Sequence, residues 1–242
     1  MKNLFFPKRI PEPKIMDEAE MSAFETLSVD SYNRWIIPLV DNVLEKVDNL
    51  ENLFILDVGC GPGFLARELA SRSLKNEVIG IDTSTIAVKM ARKNTKSLKN
   101  VSFVIGSVVK LPFPKDYFDI VICKDTLHHF SNVKTAIKEM FRVVKPGGFL
   151  YIHDLRRDVP NYLLKRVTPP HSITEKLIFY STRAAYTKEE LNSILRKLGI
   201  KKFHIATRKV TRSVATRYKK IGVDTMRLKE GFVSRYVVLI RK

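Results

Sequence analysis

The 242 residues, 45% of them hydrophobic, suffice for one sizeable α/β domain with decorations, and a net charge of +18 makes the chain strongly basic. No apolar run approaches the roughly 20 residues that cross a bilayer, and Met1-Lys2-Asn3-Leu4-Phe5-Phe6-Pro7 lacks a signal-peptide core, so a soluble cytoplasmic protein is expected. Cys60, Cys123 and the five histidines show neither disulfide nor ligand spacing, which sets the expectation of reduced thiols and no metal.

Residues 1–14 hold three prolines and mixed charge and read as an extended surface arm. From Ile15 to Val47 the pattern turns helical: Trp35, Ile36, Leu39, Val40, Val43, Leu44 and Val47 recur at helical spacing, with Pro38 as a kink or a helix start. Leu53 to Val58 is an apolar run carrying Asp57, followed by Gly59-Cys60-Gly61-Pro62-Gly63 and the amphipathic stretch Phe64 to Ala70. That pattern predicts strand, tight loop, helix. Alternate glycines let a backbone turn sharply and approach a ligand, and the helix behind them points free N–H groups at it. A nucleotide-like cofactor is the natural guest. The dinucleotide fingerprint fails because Gly61 is followed too soon by Gly63, and no Gly-Lys-Ser/Thr closes a P-loop. Asp57 would repel a pyrophosphate but suits an ammonium. S-adenosyl-L-methionine has an ammonium, a sulfonium, a ribose diol and an adenine, and no phosphate. Glu77 to Asp82 reads as a second strand ending in an acid 23 residues beyond Gly59, where nucleotide-binding folds place their ribose diol acceptor. Thr83-Ser84 then cap a helix over Thr85 to Asn94.

Asp57-x-Gly59-x-Gly61-x-Gly63 resembles motif I of the class I S-adenosylmethionine-dependent methyltransferases. The resemblance implies that the helices ahead of the motif close over the cofactor, with Tyr32, Asn33 and Arg34 in reach of its carboxylate. After the third strand, Val101 to Gly106, family members usually carry an acid that accepts from the adenine amino group. Here Ser107 stands in that place. A neutral hydroxyl is the weaker acceptor, which shifts adenine recognition toward apolar stacking and the Val108 backbone N–H. Lys115 to Cys123 resembles the fourth strand with its Phe118-Asp119 pair. The next run, Lys124-Asp125-Thr126-Leu127-His128-His129-Phe130, resembles the small-molecule branch that includes ubiquinone/menaquinone-type methylases. It departs from the Asn-Pro-Pro-Tyr pattern of many amino-group methylases. Loops at the carboxyl ends of strands face the ligand in open α/β sheets, which places these residues toward the methyl group. Asn132 to Val144 reads as a helix, Lys145-Pro146-Gly147-Gly148 as a turn, and Phe149 to Asp154 as the fifth strand.

Asp154-Leu155-Arg156-Arg157 follows on the substrate side, and Asp158 to Ser181, with Pro160, Pro169 and Pro170, reads as a lid or substrate-pocket insertion. Thr187 and Glu190 form a capping box for a helix that ends at Gly199. Closing strands are expected near Lys202 to Arg208 and Ser234 to Ile240, separated by the basic segment Lys209 to Gly231 with Tyr218. From Tyr151 onward there are 22 Lys/Arg against 7 Asp/Glu. Such an excess fits a nucleic-acid, acidic-membrane or anionic-substrate face as well as a solvated basic surface.

The sequence therefore predicts a single α/β domain over residues 1–242, with a doubly wound, Rossmann-like, seven-stranded mixed sheet and helices on both faces. Residues 1–50 form an arm and helical cap, 51–155 the cofactor-binding core, 156–185 a lid or substrate insertion after strand five, and 186–242 a helix with the closing strands. Cofactor-binding candidates are Asp57, Gly59, Gly61, Gly63, Asp82, Thr83, Ser107, Val108 and Lys124. His128, His129 and Asp154 are candidates for the base that an acceptor bearing a proton requires. The expected activity is methyl transfer from S-adenosyl-L-methionine to a small molecule, an anionic one included, with no membrane partner. The alternatives are an RNA methyltransferase using the basic final third, and a non-catalytic cofactor-binding partner protein.

Overall fold

The computed structural model describes residues 8–12, 18–30, 32–159, 172–207 and 234–242. Five strands rich in β-branched residues build the parallel part of the sheet: β1 (Phe54–Val58), β2 (Glu77–Asp82), β3 (Val101–Ile105), β4 (Phe118–Lys124) and β5 (Val144–Leu155). Two more complete it, β6 (Phe203–Ala206) and β7 (Arg235–Arg241). The spatial order is β3-β2-β1-β4-β5-β7-β6, with β7 antiparallel to both neighbours. This is the mixed seven-stranded sheet expected from the sequence. The order reverses between β1 and β4, so a crevice opens beyond their carboxyl ends, where open α/β sheets bind ligands.

Helices cover both faces. On one face, α2 (Ile37–Leu44), α3 (Phe64–Arg72) and α4 (Thr85–Asn94) bury Leu39, Val43, Leu65, Leu69, Val88 and Ala91 against Ile55, Val78 and Ile120. On the other, α5 (Val133–Val143) and α7 (Lys188–Lys197) bury Ile137, Met140, Leu191 and Leu195 against Leu56, Val121 and Leu150. Three of these helix starts have a side-chain cap as their local cause. Ser84 Oγ accepts from Ala87 N at 3.2 Å and Asn132 Oδ1 from Thr135 N at 3.1 Å, satisfying donors that have no partner within the helix. Thr187 and Glu190 cap each other across α7 as expected. Asp119 ties three strands together: it accepts from Phe54 N at 2.8 Å and pairs both oxygens with Lys145 Nζ at 2.9 Å.

Three expectations change. The helical stretch Ile15 to Val47 is broken into α1 (Glu18–Asp30), a π-helical turn (Tyr32–Ile36) and α2, with Pro38 in the first turn of α2, where its missing N–H costs no hydrogen bond. The Lys145 to Gly148 turn lies inside β5, which already pairs with β4 at Val144 and shifts register between Phe118 and Ile120. That segment stays extended because the chain end covers it: Gly147 N donates to Lys242 O and Lys242 N to Gly148 O, both at 3.1 Å. The sixth strand is shorter than expected, ending at Ala206. Of the lid region, α6 (Ile173–Ala184) is described and rests on α1. Pro160, Pro169, Pro170 and the basic segment with Tyr218 lie outside the described residues. Among the described residues no helix is long and apolar enough to cross a membrane.

Replacing Thr187 by alanine removes one half of the capping box. Urea unfolding is expected to show a loss of about 1 kcal/mol with an unchanged m-value.

Candidate functional site

The glycine loop is pinned to the end of β2 by backbone donors. Gly59 N and Cys60 N both donate to Ile81 O, at 2.8 and 3.1 Å, and Gly61 N donates to Asp82 Oδ2 at 2.9 Å. Gly59 has a φ of +69°, and a Cβ there would sit 2.2 Å from Thr126 Cγ2, so no other residue fits without moving the loop after β4. Gly63, at φ +81°, is the residue from which α3 starts. Its Cβ would meet that of Ala91 at 2.8 Å, so glycine here also lets α4 approach the loop.

Above this loop lies a cavity of about 470 Å³, within the usual range for small-molecule sites. Its walls include Asp57, Gly59, Gly61, Asp82, Thr83, Ser107, Val108 and Lys124, so eight of the nine cofactor candidates meet in one place. Gly63, the ninth, shapes the loop from behind. Asp57 is 1% exposed, and its Oδ2 has no hydrogen-bond partner. Burial pushes its carboxyl up to about 7, against the pull of Lys124 and with a further push from Asp82. Asp82 is already oriented: Oδ1 accepts from Ser84 N and Oδ2 from Gly61 N, both at 2.9 Å. Ser107 Oγ accepts from Val109 N at 3.4 Å, and Val108 is buried.

Lys124 reaches the cavity as one arm of an ion triad. Its Nζ lies 2.6 Å from Asp125 Oδ2, and Arg235 Nε donates to Asp125 Oδ1 at 2.9 Å. Desolvation alone would raise the Asp125 carboxyl, but Arg235 and Lys124 outweigh it and hold the group well below the usual carboxylate range. Tyr32 is committed elsewhere, donating to Glu68 Oε2 and packing edge-on against Phe64. It is not a cavity wall. The side chains of Asn33 and Arg34 lie outside the described ones.

The three base candidates divide. His129 is exposed and lines the cavity, with Nδ1 2.5 Å from Glu12 Oε2. His128 is 2% exposed and holds Asp154 Oδ1 through Nδ1 at 2.6 Å. Asp154 is fully buried and is not a cavity wall; it also accepts from His128 N at 3.1 Å and Leu155 N at 2.6 Å. The expectation that it lies on the substrate side as a candidate base gives way to a position behind His128. Glu12, Leu177 and Tyr180 also line the cavity, and none of them belongs to the motifs read from the sequence. Leu177 and Tyr180 share a face of α6 three residues apart, a usable signal; Glu12 gives none, since its partner is more than a hundred residues away.

A family profile described as a methyltransferase domain matches residues 56–152. An uncharacterized methyltransferase of Bacillus subtilis, YcgJ, is 35% identical over 146 residues, 54% of this chain and 57% of the relative. The chain thus spans little more than half of that relative's length. The ubiquinone biosynthesis O-methyltransferase of Pseudomonas fluorescens is 31% identical over 163 residues, 61% of this chain and 67% of the relative. The chain belongs to the class I S-adenosylmethionine-dependent methyltransferases. Its fold also matches the plantazolicin methyltransferase BpumL, solved with a pentazolic desmethylPZN analogue and SAH, with a TM-score of 0.71, 16% identity and coverage of 93% and 90% of the two chains.

The acid of this methyltransferase motif has a consequence for stability. Asp57 titrates near 7 in the folded chain and about 3.9 when unfolded, so between those values the folded state binds more protons. Its contribution is fully present below about pH 4 and is lost as pH rises to about 7, at about 1.4 kcal/mol per unit. Urea titrations of the ligand-free protein from pH 5 to 8 should therefore show a falling stability difference between wild type and Asp57→Asn.

Proposed function

We propose that this chain binds S-adenosyl-L-methionine over the glycine loop and transfers its methyl group to a small molecule by in-line displacement at the sulfonium-bound carbon. The observation that carries the reading is Asp57: a buried carboxylate with one unpartnered oxygen at the wall of the cavity, which an ammonium group satisfies. Asp82, held by two backbone N–H groups, retains lone pairs for the ribose diol, and Val108 offers an apolar wall for the adenine. The SAH bound in BpumL supports the cofactor assignment.

Methyl transfer from a sulfonium needs little chemistry from the protein beyond alignment and exclusion of water, and well-oriented reactants reach effective molarities on the order of 10⁵–10⁸ M. The acceptor side supports a small molecule. Phe130, Leu177 and Tyr180 give it apolar and aromatic walls, and Glu12 and His129 place polar groups among them. A hydroxyl is the acceptor suggested by the P. fluorescens O-methyltransferase, and its proton would leave through the Glu12–His129 side of the cavity.

Isothermal titration tests the cofactor half directly. SAH is expected to bind wild type, and Asp82→Ala to weaken it by about 1–3 kcal/mol, the cost of leaving hydrogen-bonding groups without their partner. Affinity is also expected to rise on the order of tenfold from pH 5.5 to 7.5, as Asp57 ionises, and to stay flat in Asp57→Asn. Absence of SAH binding to folded wild type overturns the reading.

A further inference from the structure

One wall of the cavity gathers groups that cofactor binding leaves unused. Glu12, from the N-terminal segment, meets the adjacent pair His128 and His129 of the 3₁₀ turn Leu127–His129, and one donor atom from each lies within 4.8 Å of the others. We propose that Glu12, His128 and His129 hold one divalent transition-metal ion of the Zn²⁺ type, with Asp154 orienting His128 from behind and an open coordination position toward the cavity.

Four observations carry this. First, His128 is 2% exposed, its Nδ1 is taken by Asp154 at 2.6 Å, and its Nε2 has no partner. A buried imidazole nitrogen left without a partner is costly, and an ion supplies one. Second, the Asp154–His128 pair is the carboxylate–histidine arrangement that fixes the tautomer and raises the basicity of metal-binding imidazoles. Third, Glu12 is pre-positioned: Ser181 Oγ donates to its Oε1 at 2.6 Å, leaving Oε2 beside His129 Nδ1. The segment carrying it is locked by Arg9, which donates to Ala184 O at 2.6 Å and His128 O at 2.7 Å and lies 4.4 Å from the Tyr186 ring centroid. Fourth, the two carboxylates of Glu12 and Asp154 balance a divalent charge.

Two imidazoles and one carboxylate suit Zn²⁺ and its neighbours, whereas Mg²⁺ and Ca²⁺ require more oxygen donors. Binding would displace the proton between His129 and Glu12 and release it to solvent. Because Glu12 and His129 are cavity walls, the remaining position takes an oxygen ligand, a water or an acceptor hydroxyl. Only that last use rests on the methyl-transfer reading; the site itself does not.

The test uses tag-free full chain stripped with chelator and titrated with Co²⁺ and Zn²⁺. The expected result is one Co²⁺ per chain with visible d–d absorption, displaced by Zn²⁺ and not by Mg²⁺. Glu12→Gln and His129→Ala, neither of them in the buried core, should each weaken Zn²⁺ binding at least about tenfold. No Zn²⁺ binding, or binding that both variants leave unchanged, overturns the site and leaves a hydrogen-bonded cluster. SAH titrated into the same samples separates the two readings. SAH binding without Zn²⁺ binding overturns the metal site alone, and variant-sensitive Zn²⁺ binding without SAH binding supports it while the cofactor reading falls.

Discussion

Two backbone N–H groups converging on a single carbonyl hold the site open. Gly59 N and Cys60 N both reach Ile81 O, and this anchors the loop after β1 to the strand beside it rather than to its own helix. The loop has to be left-handed at Gly59 to make that turn, and Thr126 then closes over the space a side chain would occupy, its hydroxyl donating to Gly59 O at 3.2 Å. Three chain segments are thereby fixed by one geometry: the loop after β1, the acid ending β2, and the start of the loop after β4. Displacing any one of them moves the other two, so the crevice at the reversal of strand order has a defined shape before a ligand enters it.

Charge within this frame is unevenly compensated. Asp125 is neutralised twice over by Lys124 and Arg235 and stays ionised, whereas Asp57 is buried and feels Lys124 only across the site. Both cations lie on Asp125, and the pull of Lys124 on Asp57 does not offset the cost of its burial, which leaves Asp57 to be neutralised by a proton or by a cationic ligand. A bare carboxylate in that position is destabilising, and a cationic ligand relieves it. The same burial that costs stability in the empty chain thus favours a ligand with an ammonium group over one with a phosphate.

The glycine-loop half of the candidate site is legible in the sequence because it is local. Asp57, the three glycines and Asp82 sit at strand ends whose spacing fixes their positions in space, and eight of nine candidates meet at one cavity for that reason. The capping signals at Ser84, Asn132 and Thr187 were legible on the same ground, each acting over three residues. What escaped depends on contacts between distant segments. The extended path through Pro146 and Gly147 is imposed by Lys242 at the far end of the chain, and Glu12 acquires its place only through Ser181 and His129. Asp154 was found as a residue but misplaced in depth, since alternation along a strand buried on both faces gives no sign of which side chain reaches a crevice.

This division runs parallel to the extent of the family match. The matched profile stops at residue 152, one turn of alternation before Asp154, and takes in neither the N-terminal segment nor α6. Yet those outlying segments supply Glu12, Leu177 and Tyr180, and the strap from Arg9 to Glu12 bonds to both α6 and the histidine turn. That wall of the cavity is therefore built by tertiary contacts between an N-terminal segment and a late helix, laid across a core whose own geometry is complete without them. Such an arrangement leaves the glycine loop, Asp57 and Asp82 positioned by the core, while the strap and α6 shape the wall where Glu12 and His129 meet.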